Sequence, residues 1–191
     1  FGDQGSATFF QNKELTGDEQ ILITTKIWDT KLRNIDMIIR SIVSSINKLK
    51  GRTNDSEKMN HRDSSNHYDS SNLKFRMLLH HPAPPHVWKA LESCVEMGLI
   101  HEIGVSNHNI EALNTLLSYA DITPCINLLE IHPFLDPVKL QPLLSFCKTT
   151  SIPVQAHSCL MRGLYWSDKE LTKASLENNL TQAQFLVAWA G

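Results

Sequence analysis

The sequence predicts an α/β chain holding about five of the eight strands of a (β/α)8 TIM barrel. Three observations lead there. Strand-length apolar runs alternate strictly with helix-length amphipathic segments, the pattern of a parallel sheet flanked by helices. The runs show little apolar/polar alternation, as strands do when both faces are covered. A polar or titratable side chain stands at the C-terminal end of every run, at a near-constant interval.

Residues 21–27 read ILITTKI, a β-branched run of strand length. Ile35, Ile38, Ile39, Ile42, Val43, Ile46 and Leu49 then fall on one helical stripe, with Asn34 placed to cap it. Residues 51–72 are polar and rich in Ser, Asn and Asp. Such a stretch buries too little surface to order itself and reads as a disordered insert in an otherwise single domain, 1–191. Its histidines, His61 and His67, read as incidental. Residues 73–80 form the second strand, stopped by PAPP, and 86–97 form a helix with Gly98 in the helix-ending position. Strand 102–105, helix 109–120, strand 125–131, helix 136–149 and strand 152–156 follow. Pro137 is tolerated in a first helical turn. The tail 167–190 is mostly helical, with Thr181 able to cap its last segment.

Alternation alone fits both a closed eight-stranded barrel and an open doubly wound sheet. The strand ends separate them. Lys26 ends the first run, His80 the second and Ser106-Asn107 the third. His132 follows the fourth, and His157-Ser158 end the fifth. The steps are 26 residues from His80 to Ser106, 26 to His132 and 25 to His157. The step from Lys26 to His80 is 54, or 32 without the 22-residue insert. Eight units of this size make the ~250 residues usual for the barrel, whose active sites lie at this face. Each residue also has an ordinary reading. Lys26 could reach solvent, His80 could be a satisfied core histidine, Ser106-Asn107 could cap the next helix, and His132 could be a turn residue. The coincidence of position argues otherwise. No GxGxxG or GxxxxGK[ST] loop is present, which counts against a dinucleotide-binding open sheet.

Composition excludes some classes. The 191 residues are 41% hydrophobic and 20% charged, with a formal charge of −2 from 18 basic and 20 acidic residues. That argues against nucleic acid or an anionic membrane as partner. No run approaches the ~20 apolar residues that span a bilayer, and no signal peptide is visible. The four cysteines make no CxxC pair or zinc spacing and read as free thiols in a reducing compartment. The first residue is Phe1, so the chain reads as cut at its N-terminus.

Five motifs carry a family resemblance: TTKIW at 24–28, LLHHP at 78–82, GVSNHN at 104–109, INLLEIHPFL at 126–135 and AHSCLMRG at 156–163. With VWKALESCVEMGLI before HEIGVSN, they resemble the successive strand-end motifs of the aldo-keto reductases, over roughly 20–50 and 73–165. The resemblance implies a (β/α)8 barrel that reduces small aldehydes and ketones by hydride transfer from NADPH, in the cytoplasm and without metal. It implies that Lys26 lowers the pKa of a catalytic tyrosine and that His80 orients and polarises the substrate carbonyl. Ser106 and Asn107 match the pair that hydrogen-bonds the nicotinamide carboxamide. His157, Ser158 and Leu160 fall on further cofactor positions, and Trp28 and His81 on the substrate pocket.

The chain departs from the family pattern in four places. The proton-donating tyrosine belongs near the N-terminus, in a motif like YGNE. Here FGDQ opens the chain, with Phe1 25 residues before Lys26. Leu128 stands where the family usually has a glutamine on the carboxamide. His157 stands where a tyrosine stacks under the nicotinamide. The chain stops at Gly191, before the strand that reads the 2′-phosphate. Two strands at the start and one at the end are unaccounted for, so the chain reads as a fragment, with a degraded copy as the rival. Two further functions compete with the reductase. One is a non-catalytic binding or regulatory relative. The other is a metal-dependent hydrolase barrel, disfavoured because adjacent His80 and His81 would point opposite ways on a strand.

Overall fold

The computed structural model describes residues 21–27, 34–55 and 73–191, with side chains placed for all of these except 49–55. Among the described residues there are five strands: β1 (Ile21–Ile27), β2 (Leu73–Leu79), β3 (Glu102–Ser106), β4 (Asn127–Glu130) and β5 (Val154–His157). The helices are α1 (Ile35–Asp55), α2 (Pro85–Glu96), α3 (Ile110–Leu117), α4 (Pro137–Thr149), α5 (Lys169–Glu177) and α6 (Gln182–Ala190). The strands pair in chain order, β1-β2-β3-β4-β5, every pair parallel.

That order decides between the two architectures. A doubly wound sheet reverses its direction of growth once, at the switch point where ligands bind. Here there is no reversal, and right-handed crossovers keep the connecting helices on one face. The chain is a half-barrel.

The helix side is apolar. Phe75, Met77, Leu79, Ile103 and Val105 pack with Ile38, Ile42, Ile46, Val87, Trp88, Leu91 and Leu113 in one core. The other side carries the alternate residues, among them Lys26, Arg76 and Glu102. Arg76 Nε donates to Glu102 Oε2 at 2.6 Å on this inner face. Gly104 lies between them and the strand end. A Cβ there would stand 2.8 Å from Leu78 Cδ2 and 2.9 Å from the Ile126 carbonyl oxygen, so only glycine lets the strands approach this closely.

The predicted caps are in place. Asn34 Oδ1 accepts from Met37 N at 2.8 Å, and Gly98 sits at φ 69° after α2. Thr181 and Gln184 form a reciprocal capping box on α6. Several details differ from expectation. Helix α1 runs to Asp55, so residues 51–55 of the expected insert are helical, and 56–72 lie outside the described residues. The α1 stripe is buried along Ile38, Ile42 and Ile46, whereas Ile35 is 40% exposed. Strand β5 starts at Val154, because Ile152 N still bonds the Cys147 carbonyl in the last turn of α4.

Cys94 and Cys147 are buried free thiols, and Cys125 and Cys159 are free and partly buried. Burial pushes the Cys94 and Cys125 thiols up to about 11. Among the described residues, no helix is long and apolar enough to cross a membrane.

Candidate functional site

The parallel register gathers the C-terminal strand ends at one face. Lys26 is level with Leu78, and His80 N donates to the Ile27 carbonyl at 3.2 Å, which extends the β1–β2 pairing one residue past the strand. His80 is thereby set beside Lys26 and is only 9% exposed. His81 does not turn away from it. Both histidines lie past the end of β2, where the strand's alternation no longer applies, and their ring centroids are 4.2 Å apart. The expected divergence of this pair is thus incorrect. Even so, no three His, Cys, Asp or Glu side chains among the described residues converge to hold a metal ion.

Burial lowers the His80 pKa, and the charges of His81, Lys26 and His157 lower it further. His157 is lowered by burial and by Lys26, against an opposing pull from Glu130. Both shifts favour the neutral imidazole, which has one N–H to donate and one nitrogen to accept.

Ser106 and Asn107 do not cap the following helix. Asn109 does, its Oδ1 accepting from Ala112 N at 2.8 Å. That frees the pair for the strand-end face. Ser106 is fully buried, and Asn107 Nδ2 donates to its Oγ at 3.1 Å. His157, on β5, reaches Asn107 Oδ1 through Nε2 at 3.2 Å, while its Nδ1 is 2.9 Å from Ser158 Oγ. The sequence-predicted residues Ser106, Asn107, His157 and Ser158 form one continuous hydrogen-bonded chain. Trp28 lies outside the described residues. Leu160 is 39% exposed beyond β5, and His132 turns to Glu130, with Nε2 3.5 Å from Oε1. Phe134 and Tyr165 stack at 4.1 Å, joining the loops after β4 and β5.

Two residues of this region escaped the sequence reading as site residues. Asn127 is fully buried. Its Nδ2 donates to the His108 carbonyl at 2.8 Å, and its Oδ1 accepts from His108 N at 3.4 Å. His108, 1% exposed, donates from Nδ1 to the Ser106 carbonyl at 3.0 Å. Together they fasten the 106–109 loop to β4. The available signal was a lone amide inside the apolar run INLLEI, because a buried polar group must find partners. Four of the six non-glycine residues at positive φ among the described residues lie at the same face, Ser151 and Asn179 being the others. Asn107 and Ser158 both sit at φ 57°, with Met161 at 50° and Arg162 at 53°. The left-handed region costs a non-glycine residue about 1–2 kcal/mol, and such strain gathers at functional sites.

Residues 9–188 match the model of the Aldo/keto reductase family. Aldose reductase C of Dictyostelium discoideum is 27% identical over 206 residues, covering 96% of this chain and 63% of its own length. Glycerol 2-dehydrogenase (NADP(+)) of Hypocrea jecorina is 31% identical over 214 residues, covering 96% and 65%. The crystal structure of an aldo/keto reductase from Brucella melitensis aligns with a TM-score of 0.65 at 25% identity, over 88% of this chain and 57% of that one. The Bombyx mori aldo-keto reductase in complex with NADP aligns at 0.64 and 24%, over 87% and 53%. The chain spans only 34% to 65% of the length of such relatives.

Proposed function

Because the chain belongs to the aldo/keto reductase family, we propose that it forms the carbonyl- and nicotinamide-facing half of a reductase that uses NADPH on small aldehydes and ketones. The observation that carries this is the hydrogen-bonded chain from Ser106 through Asn107 and His157 to Ser158, at the strand ends beside Lys26 and His80. The residues fit the cofactor's head. A carboxamide presents one carbonyl and one NH2, and a hydroxyl beside a side-chain amide can serve both. NADPH would supply the hydride when bound.

The chain's own groups would do the rest. Ser106 and Asn107 would orient the carboxamide, with His157, Ser158 and Leu160 along the cofactor. Neutral His80 would donate a hydrogen bond to the carbonyl oxygen, a task that suits an imidazole whose pKa is lowered first by burial and then by Lys26 beside it. The Lys26 ammonium would favour the ionised form of a phenol placed beside it. Trp28 and His81 would wall the substrate. A cytoplasmic location accords with four free cysteines.

One observation favours a second reading, a non-catalytic relative that binds the nucleotide without turnover. Both described tyrosines are engaged elsewhere. Tyr119 packs on the helix-side core near Glu92 and Lys89, and Tyr165 stacks on Phe134. Titrating the chain with NADPH tests the nucleotide site, and absence of binding sinks both readings. For residues 1–191 alone, binding with little or no turnover is expected on either reading. NADPH oxidation with small aldehydes and ketones by a full-length form of the protein separates the two. There, turnover that Lys26→Met lowers by about 10²-fold or more, with binding kept, supports the reductase, and binding without turnover supports the second reading.

A further inference from the structure

The contact between His157 and Asn107 joins residues 50 apart in sequence. Their side chains meet only because β5 lies beside β4, with Glu130 opposite His157, while Asn107 N bonds the Leu128 carbonyl at 3.0 Å. The proton positions follow from the partners. Asn107 Nδ2 is committed to Ser106 Oγ, so Oδ1 is the atom facing the imidazole, and an amide oxygen can only accept. Nε2 must therefore carry the proton. In the neutral ring Nδ1 is then the acceptor, and the Ser158 hydroxyl donates to it. Leu128, level with Ser106 on the intervening strand, offers an alkyl group and no hydrogen bond.

We propose that His157 is a positioning residue. It holds the Asn107 amide in a single orientation from β5 and so supplies the polar brace that Leu128 on β4 cannot. This rests on the proposed nicotinamide reading and goes beyond it, because it assigns the ring a hydrogen-bonding role in place of a stacking one. An amide held at both ends can present its second N–H and its remaining lone pair without first losing rotational freedom. The groups facing His157 are Lys26 from β1, His80 from the end of β2 and Glu130 from β4.

Two variants separate the roles. His157→Phe keeps a flat ring and loses both hydrogen bonds, whereas His157→Gln keeps a donor for Asn107 and loses the ring. NADPH affinity, read by fluorescence on the 191-residue chain, should fall about three- to tenfold in the Phe variant and much less in the Gln variant. Independently of cofactor, the Asn107 side-chain amide resonance, identified by its loss in Asn107→Ser, should titrate together with His157. That titration should disappear in His157→Phe. If the Phe variant binds NADPH as tightly as the parent, or if the Asn107 resonance ignores the His157 titration, the positioning role is overturned while the nicotinamide reading stands. If the parent chain binds no NADPH, the nicotinamide reading falls and this role falls with it.

Discussion

On the helix side of the sheet, Phe75, Met77, Ile103 and Val105 meet Trp88, Leu91 and Leu113, and none of these is more than 2% exposed. On the inner side, the sheet carries Lys26, Arg76, Glu102 and His157. The first face is held by dispersion and by exclusion of water, terms that are non-directional and sum over many atoms. The second is held by a few directional contacts, such as Arg76 to Glu102 and His157 to Asn107. The difference teaches a division of labour. Stability resides in the layer where any well-shaped apolar group will serve. The proposed chemistry lies where each atom needs a particular partner, and Asn107 and Ser158 there sit at φ 57°.

The largest effect expected from breaking this division is on the helix side. Trp88→Ala should destabilise the chain by about 3–5 kcal/mol, measured as a lower urea midpoint, because the fully buried ring leaves a cavity that the core cannot fill. A loss below about 1 kcal/mol would mean that this layer does not hold the fold. Glu92 tests a mixed case, a polar anchor inside the apolar layer. Its Oε1 accepts from Asp121 N at 2.7 Å and Ile122 N at 2.8 Å, fastening the loop after α3 to α2. Glu92→Ala should cost about 2–3 kcal/mol and Glu92→Gln distinctly less, since the amide oxygen still accepts. Equal losses for the two variants would contradict the anchoring role.

The smallest effect is a pH slope. His80, His108 and His157 all have folded-state pKa values lowered below 6.5, with burial the leading cause. The folded state therefore holds fewer protons than the unfolded one. Their stabilising contribution is present above pH 6.5 and is lost as the pH falls through the folded values. The urea midpoint should decline between about pH 7.5 and pH 5.5, more shallowly in His108→Phe. An unchanged slope in that variant would remove His108 from the linkage.

Much of the fold was legible because its signals are local. The spacing of Ile38, Ile42 and Ile46 announces a buried helical row, and Asn34, Gly98 and Thr181 announce helix ends, since caps act within one turn. Lys26, His80, Ser106 and Asn107 were legible as site candidates from their positions at successive strand ends. Asn127 was harder to read, because the group that satisfies a buried amide belongs to another strand. The approach of His81 to His80 was misread because the strand's alternation was carried one residue too far.

The sequence by itself determined which segments are strands and helices, which residues stand at strand ends, and the family to which those residues belong. These rest on periodicity, on capping and on the order of side chains along one chain. Only the tertiary structure decided that the sheet grows in one direction and that Asn109, not Ser106-Asn107, caps α3. It alone joined Asn107 to His157, because that hydrogen bond forms only after three parallel strands have brought positions 50 residues apart within 3.2 Å.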